Sequence, residues 1–105
     1  MKTIYELSQL DGRVYVYLAN VALGEAFMKQ AEDEGFTFTD GAAPTERCYA
    51  EIMALNKDKT MNYVGSVGRI AFGGGAKKIG DETLVRVDFE KYVAGNDDYM
   101  YGGKA

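Results

Sequence analysis

Histidine is absent from the chain, so its one cysteine, Cys48, has no imidazole to draw off a proton. The carboxylates fall at no spacing that would set an acid against a base. The usual general acid, general base and nucleophile sets are therefore missing, and the chain reads as a non-enzyme. One cysteine without histidine is also too few ligands for zinc, and nothing in the carboxylate spacing supports a magnesium or calcium site. No cofactor is expected.

What remains is recognition chemistry, in three groups of residues. Glu32, Asp33 and Glu34 end a helical pattern with three carboxylates at the negative pole of its dipole, where each is unfavourable by about 0.3–1 kcal/mol. On that ground, neutralising them should leave stability unchanged or slightly raised, and a departure from local rules points to a partner. Tyr15 and Tyr17, with Arg13, fall on one face of an alternating strand and could stack on bases or on a partner. Gly73, Gly74 and Gly75 followed by Lys77 and Lys78 could cradle a phosphate between backbone amides and two ammonium groups. Each group also has a plainer reading: solvated acids, a strand face packed under a helix, and a flexible connection.

The glycine-rich stretch matches no specific nucleotide motif. Gly68-Arg69-Ile70-Ala71-Phe72-Gly73 opens with Walker A spacing, but Gly74 and Gly75 stand where lysine and a hydroxyl residue belong. Gly65-Ser66-Val67-Gly68 resembles the backbone clamp of certain RNA-binding loops without the helices that should flank it.

The elements that would carry these residues follow from periodicity. Thr3-Ile4-Tyr5-Glu6 has capping-box spacing and predicts a short helix to about Leu10. After the Asp11-Gly12 turn, residues 13–18 alternate as a strand with Val14, Val16 and Leu18 inward. Asn20 caps the main helix, which runs to Glu34 and stops at Gly35. Phe36-Thr37-Phe38 is a short strand; residues 46–55, after Pro44, fit helix or strand, and the favoured reading is a loop at 46–50 that contains Cys48, followed by a strand. Strands at 51–56 and 60–64 are joined by the Asn56–Lys59 hairpin. A strand at 84–89 and a short helix to about Ala94 follow, and residues 96–105 have no period and are expected to be loosely ordered. The expected buried set is Val14, Val16, Leu23, Phe27, Phe36, Phe38, Val85, Val87 and Phe89.

This predicts an α+β fold: one small domain over residues 1–105, with a mainly antiparallel sheet of about five strands. One main helix packs on a face, and short helices stand near the termini. At 105 residues and 47% hydrophobic composition the chain can bury a core. It has no apolar run long enough to span a bilayer and no secretory layout at Met1–Glu6, so a cytoplasmic protein without membrane contact is expected. The net charge of −4 is unevenly placed. Residues 1–44 are acid-rich, whereas residues 57–78 set Lys57, Lys59, Arg69, Lys77 and Lys78 against Asp58 alone, which predicts an acidic and a basic end.

Three blocks carry a resemblance. Gly35-Phe36-Thr37-Phe38-Thr39-Asp40-Gly41, Asn62-Tyr63-Val64-Gly65 with Ala71-Phe72, and Arg86-Val87-Asp88-Phe89-Glu90-Lys91-Tyr92 resemble recurring blocks of small uncharacterised proteins from phages and integrated mobile elements. Proteins of such origin include anti-CRISPR inhibitors, which bind a nuclease and block its nucleic-acid channel. The resemblance thus implies a small acidic inhibitor with a protein partner and no direct contact with nucleic acid. A charge of −4 is less negative than a strong DNA mimic would carry. The alternative expectation is a small-ligand binder using residues 73–78 for a phosphate or nucleotide.

Overall fold

The computed structural model describes residues 2–101. It is a small α+β domain built on a mixed six-stranded sheet with four α-helices. In chain order the elements are α1 (Ile4–Ser8), β1 (Arg13–Tyr17), α2 (Val21–Asp33), β2 (Thr37–Phe38), a 3-10 turn (Pro44–Glu46), β3 (Ile52–Leu55), β4 (Thr60–Tyr63), α3 (Ser66–Gly73), β5 (Lys78–Ile79), β6 (Glu82–Asp88) and α4 (Phe89–Val93). The expected main helix, its Asn20 cap and the β3–β4 hairpin are present. The Asn20 side chain accepts from the Leu23 amide at 2.9 Å.

The sheet order is β2-β4-β3-β1-β6-β5. It is more mixed than expected: β1 pairs in parallel with β6, and β2 in parallel with β4. Hairpin logic identifies the antiparallel pair β3–β4, whereas the short antiparallel pair β5–β6 falls in a stretch read as a flexible connection. Such logic cannot place β1 beside β6, because that pairing joins segments from opposite ends of the chain, and only the twin alternation of Val14-Val16 and Val85-Val87 brings them into register. Beyond β5, the outer edge of β6 is covered by residues 99–101. The Asp88 amide donates to the Tyr99 carbonyl at 2.7 Å and the Tyr101 amide to the Arg86 carbonyl at 2.9 Å. Part of the stretch expected to be loosely ordered is therefore paired, and residues 102–105 lie outside the described residues.

Strand alternation splits the interior into two cores. On one face Val14, Val16, Met53, Leu55, Met61 and Val87 meet Ile4 and Leu7 of α1, Phe27, Met28 and Ala31 of α2, and Phe89 and Tyr92 of α4. Phe27 and Phe89 pack edge to face at 5.1 Å. Of the residues expected to be buried, Leu23 and Val85 are half-buried against this core and the others are fully enclosed. On the opposite face Tyr15, Ile52, Ala54, Val64 and Leu84 are covered by one helix, α3, through Phe72. Sequence periodicity misses α3, since its glycines argue against a helix. It forms because Gly68 lets its backbone lie directly on the sheet: a β-carbon there would stand 2.5 Å from Val64 Cγ1 and 3.0 Å from the Tyr15 hydroxyl.

Candidate functional site

The acidic end of α2 has structural work that its own helix does not reveal. Glu34 accepts from the Ile4 amide at 2.9 Å and the Tyr5 amide at 2.8 Å, the first two donors of α1, and from the Gln30 side-chain amide at 2.8 Å. Thr3 serves the next donor, the Glu6 amide, at 3.1 Å. A carboxylate at the tail of one helix thus caps the head of another, where the dipole favours negative charge. Glu32 accepts from the Thr45 amide at 3.1 Å and its hydroxyl at 2.6 Å, and these bonds hold its carboxyl below the usual range. Asp33 is exposed and pairs with Lys29 at 3.8 Å. The negative pole of α2 is itself offset by Lys59, which donates to the Glu34 carbonyl at 3.0 Å. Lys59 is the only non-glycine among the described residues with a left-handed backbone, φ 65°. Neutral replacements here should therefore destabilise, contrary to the expectation drawn from the dipole alone.

Tyr15 and Tyr17 share the predicted face, but that face lies beneath α3. Tyr15 is buried at 6% exposure, which leaves it no free surface for a partner. Tyr17 is half-buried and packs on Phe72 at 6.3 Å and Tyr101 at 4.8 Å. The plainer reading, a strand face under a helix, describes both.

The glycine run is the end of α3 rather than a loop. The Gly74 amide donates to the Ile70 carbonyl, Gly75 to Phe72 and Ala76 to Ala71, with Gly75 left-handed at φ 76°. These bonds terminate a helix, and they occupy the amides that a phosphate cradle would need. Lys77 and Lys78 are exposed, and Lys78 lies in β5 opposite Thr83. Beside Gly75 the structure adds Arg86, which donates to the Phe72 carbonyl at 3.0 Å and lies 5.8 Å from the Phe72 and Tyr101 rings. Its place was readable from strand alternation, which sends it to the face opposite Val85 and Val87.

Two further features were not legible. Of the exposed residues of α3 and its cap, Ser66, Val67, Ile70, Gly73 and Gly74 are uncharged and Arg69 alone carries a charge. Val67 is 76% and Ile70 74% exposed, the two most exposed large apolar side chains among the described residues. The flanking Arg69 is drawn aside to Glu51 at 3.6 Å. The other feature is an open groove of about 680 Å³ between α2 and the 3-10 turn, lined by Val21, Met28, Lys29, Arg47, Cys48 and Tyr49 among others. Cys48 is free and exposed there. Among the described residues no cluster of three histidine, cysteine, aspartate or glutamate side chains could hold a metal ion, and no helix is long and apolar enough to cross a membrane.

Comparison of the chain with protein-family models, curated proteins and solved structures finds no match.

Proposed function

We propose that this chain acts by binding a protein rather than by catalysis, and that α3 is the contact element. The observation that carries the reading is the pair Val67 and Ile70, exposed one turn apart on a helix whose single exposed charge, Arg69, is paired with Glu51. A helix turned only toward solvent places charged residues on its outer face. An eight-residue helix is about 12 Å long, so a contact of ordinary size must extend past its ends. At the C-terminal end it meets Lys77, Lys78 and Arg86, none of which pairs with a carboxylate among the described residues. The partner that fits is an apolar groove edged with carboxylates.

The resemblance to phage and mobile-element proteins gives the reading a specific form, in which the partner is a host nucleic-acid-targeting defence enzyme such as a CRISPR nuclease and binding inhibits it. The resemblance supports that form. The test is DNA cleavage by a Cas9-type nuclease with wild type, with Val67→Asp/Ile70→Asp and with Asp33→Asn. Inhibition by wild type and Asp33→Asn but not by the α3 variant is the expected result. Equal inhibition by wild type and the α3 variant overturns the surface, and no inhibition by any of them removes the nuclease form.

A further inference from the structure

A shallow pocket of about 260 Å³ lies between the end of α3 and the β5–β6 hairpin, lined by Gly75, Lys77, Thr83, Arg86 and Tyr101 among others. In a chain of net charge −4, this lining contains two cations and no carboxylate. The geometry points to a binding site for a phosphate-sized oxyanion, held by Arg86 and Lys77. A guanidinium has five N–H donors, and Arg86 has one hydrogen bond among the described residues, to the Phe72 carbonyl. Strand pairing to Tyr15 fixes its backbone, and the rings of Phe72 and Tyr101 flank its planar head, so the remaining donors are presented from a half-buried, positioned group. Gly75 lies beside the guanidinium, where a β-carbon would stand at ordinary contact distance, 4.0 Å, from Arg86 Nη2. Lys77 adds an exposed charge at the rim, and Thr83 supplies a hydroxyl.

The ligand class follows from these groups. With the amides of residues 74–76 occupied by the helix end, the anion is held by side chains alone. A forked guanidinium with a second cation suits a doubly charged tetrahedral oxyanion better than a single carboxylate. The volume lies below the roughly 300–1,000 Å³ of pockets that enclose drug-sized ligands, so only the phosphoryl group of a larger molecule would be enclosed. The site needs no protein partner; it shares Lys77 and Arg86 with the edge of the α3 contact but uses neither Val67 nor Ile70.

Titration of the ¹⁵N-labelled protein at constant ionic strength, following backbone amides and the Arg86 Nε–H, tests this with inorganic phosphate, adenosine monophosphate, acetate and chloride. Phosphate should give saturable shifts at Gly75, Ala76, Lys77 and Arg86 with a Kd of about 1 mM, the range open to a small exposed ion. Adenosine monophosphate binding more tightly than phosphate identifies a phosphorylated small molecule, and equal binding identifies the free ion. Lys77→Ala should weaken binding about fivefold, the factor matching ~1 kcal/mol for an exposed charged contact. Lys78→Ala, outside the pocket, should change it less than twofold. Arg86→Gln should abolish binding; because it also removes the partner of the Phe72 carbonyl, its melting temperature is read alongside, and Lys77→Ala is the deciding variant. Shifts that follow chloride without saturating, acetate matching phosphate, or unchanged affinity in Lys77→Ala would each overturn the site. Ile70→Asp should leave phosphate binding intact, which separates this site from the α3 contact.

Discussion

Glu34 joins α1 to α2 by accepting from the Ile4 and Tyr5 amides, and its removal would orphan both. Glu34→Ala should cost about 1–2 kcal/mol, the scale of a lost cap with its dipole contribution, read as a lowered urea midpoint without a change in slope. The pH dependence has two ends. Hydrogen bonds from Thr45 lower the Glu32 pKa, and the Arg47 contact at 2.6 Å lowers that of Asp40. Depressed carboxyls favour the folded state above their unfolded values, so this stabilisation is complete at neutral pH. It fades as pH falls below the ordinary 4.5 and 3.8 and through the lowered folded values. Tyr92 is the opposite case. Buried, with its hydroxyl donating to the Thr3 carbonyl at 2.6 Å, it is pushed up to about 12 from an ordinary 10.0, chiefly by desolvation. Its neutral form is favoured in the folded state, so on the order of 2 kcal/mol should be lost between pH 10 and 12. Tyr92→Phe should flatten that alkaline limb in melting curves, and an unchanged limb would refute the assignment.

At the scale of elements, α3 is where glycine plays two different parts. Gly68 is buried against Val64 and Tyr15, whereas Gly73 has open space where a side chain would stand. Gly68→Ala should therefore destabilise by about 1–3 kcal/mol through overpacking. Gly73→Ala should stabilise by up to about 1 kcal/mol through helix propensity. Calorimetry of the two variants checks this, and equal effects would mean that α3 is not seated as described. The same element shows where local pattern stops being informative. The alternation of Val14-Val16 and Val85-Val87 and the Asn20 cap were legible because one local period or one cap decides each. In Ser66–Gly73 the two glycines break the apolar period, so α3 is specified by Val64, Tyr15 and Phe72 meeting across the fold. Glu34 defeats local reasoning for a related reason: its position in its own helix is unfavourable, and the amides that compensate it, Ile4 and Tyr5, belong to a different helix. Lys77 could be nominated from the chain, but Arg86 could join it only once β6 and the end of α3 were neighbours.

At the scale of the molecule, the two faces of the sheet are unequally clothed. One carries α1, α2 and α4, with Phe27, Phe36, Phe38 and Phe89 enclosed, while the other carries α3 and the segment through Tyr101. The thinner face also presents Val67 and Ile70, with uncompensated lysines and Arg86 at the helix end. Charge asymmetry was readable in the sequence, but its meaning shifts. Lys57 donates to the Leu10 and Gly12 carbonyls, Lys59 to the Glu34 carbonyl and Arg69 pairs with Glu51, so within the basic stretch 57–78 the uncommitted cations are Lys77 and Lys78, at the end of α3. Binding should accordingly weaken as salt is raised, while the apolar contribution persists. The most direct measurement places a benzophenone side chain at position 70, and as a control at the exposed position 25 of α2, followed by irradiation in a cell lysate. A single protein adduct is expected at position 70, absent at position 25, competed by unlabelled wild type and not by Val67→Asp/Ile70→Asp. No adduct at position 70, or adducts of equal yield at both positions, would contradict α3 as the contact element.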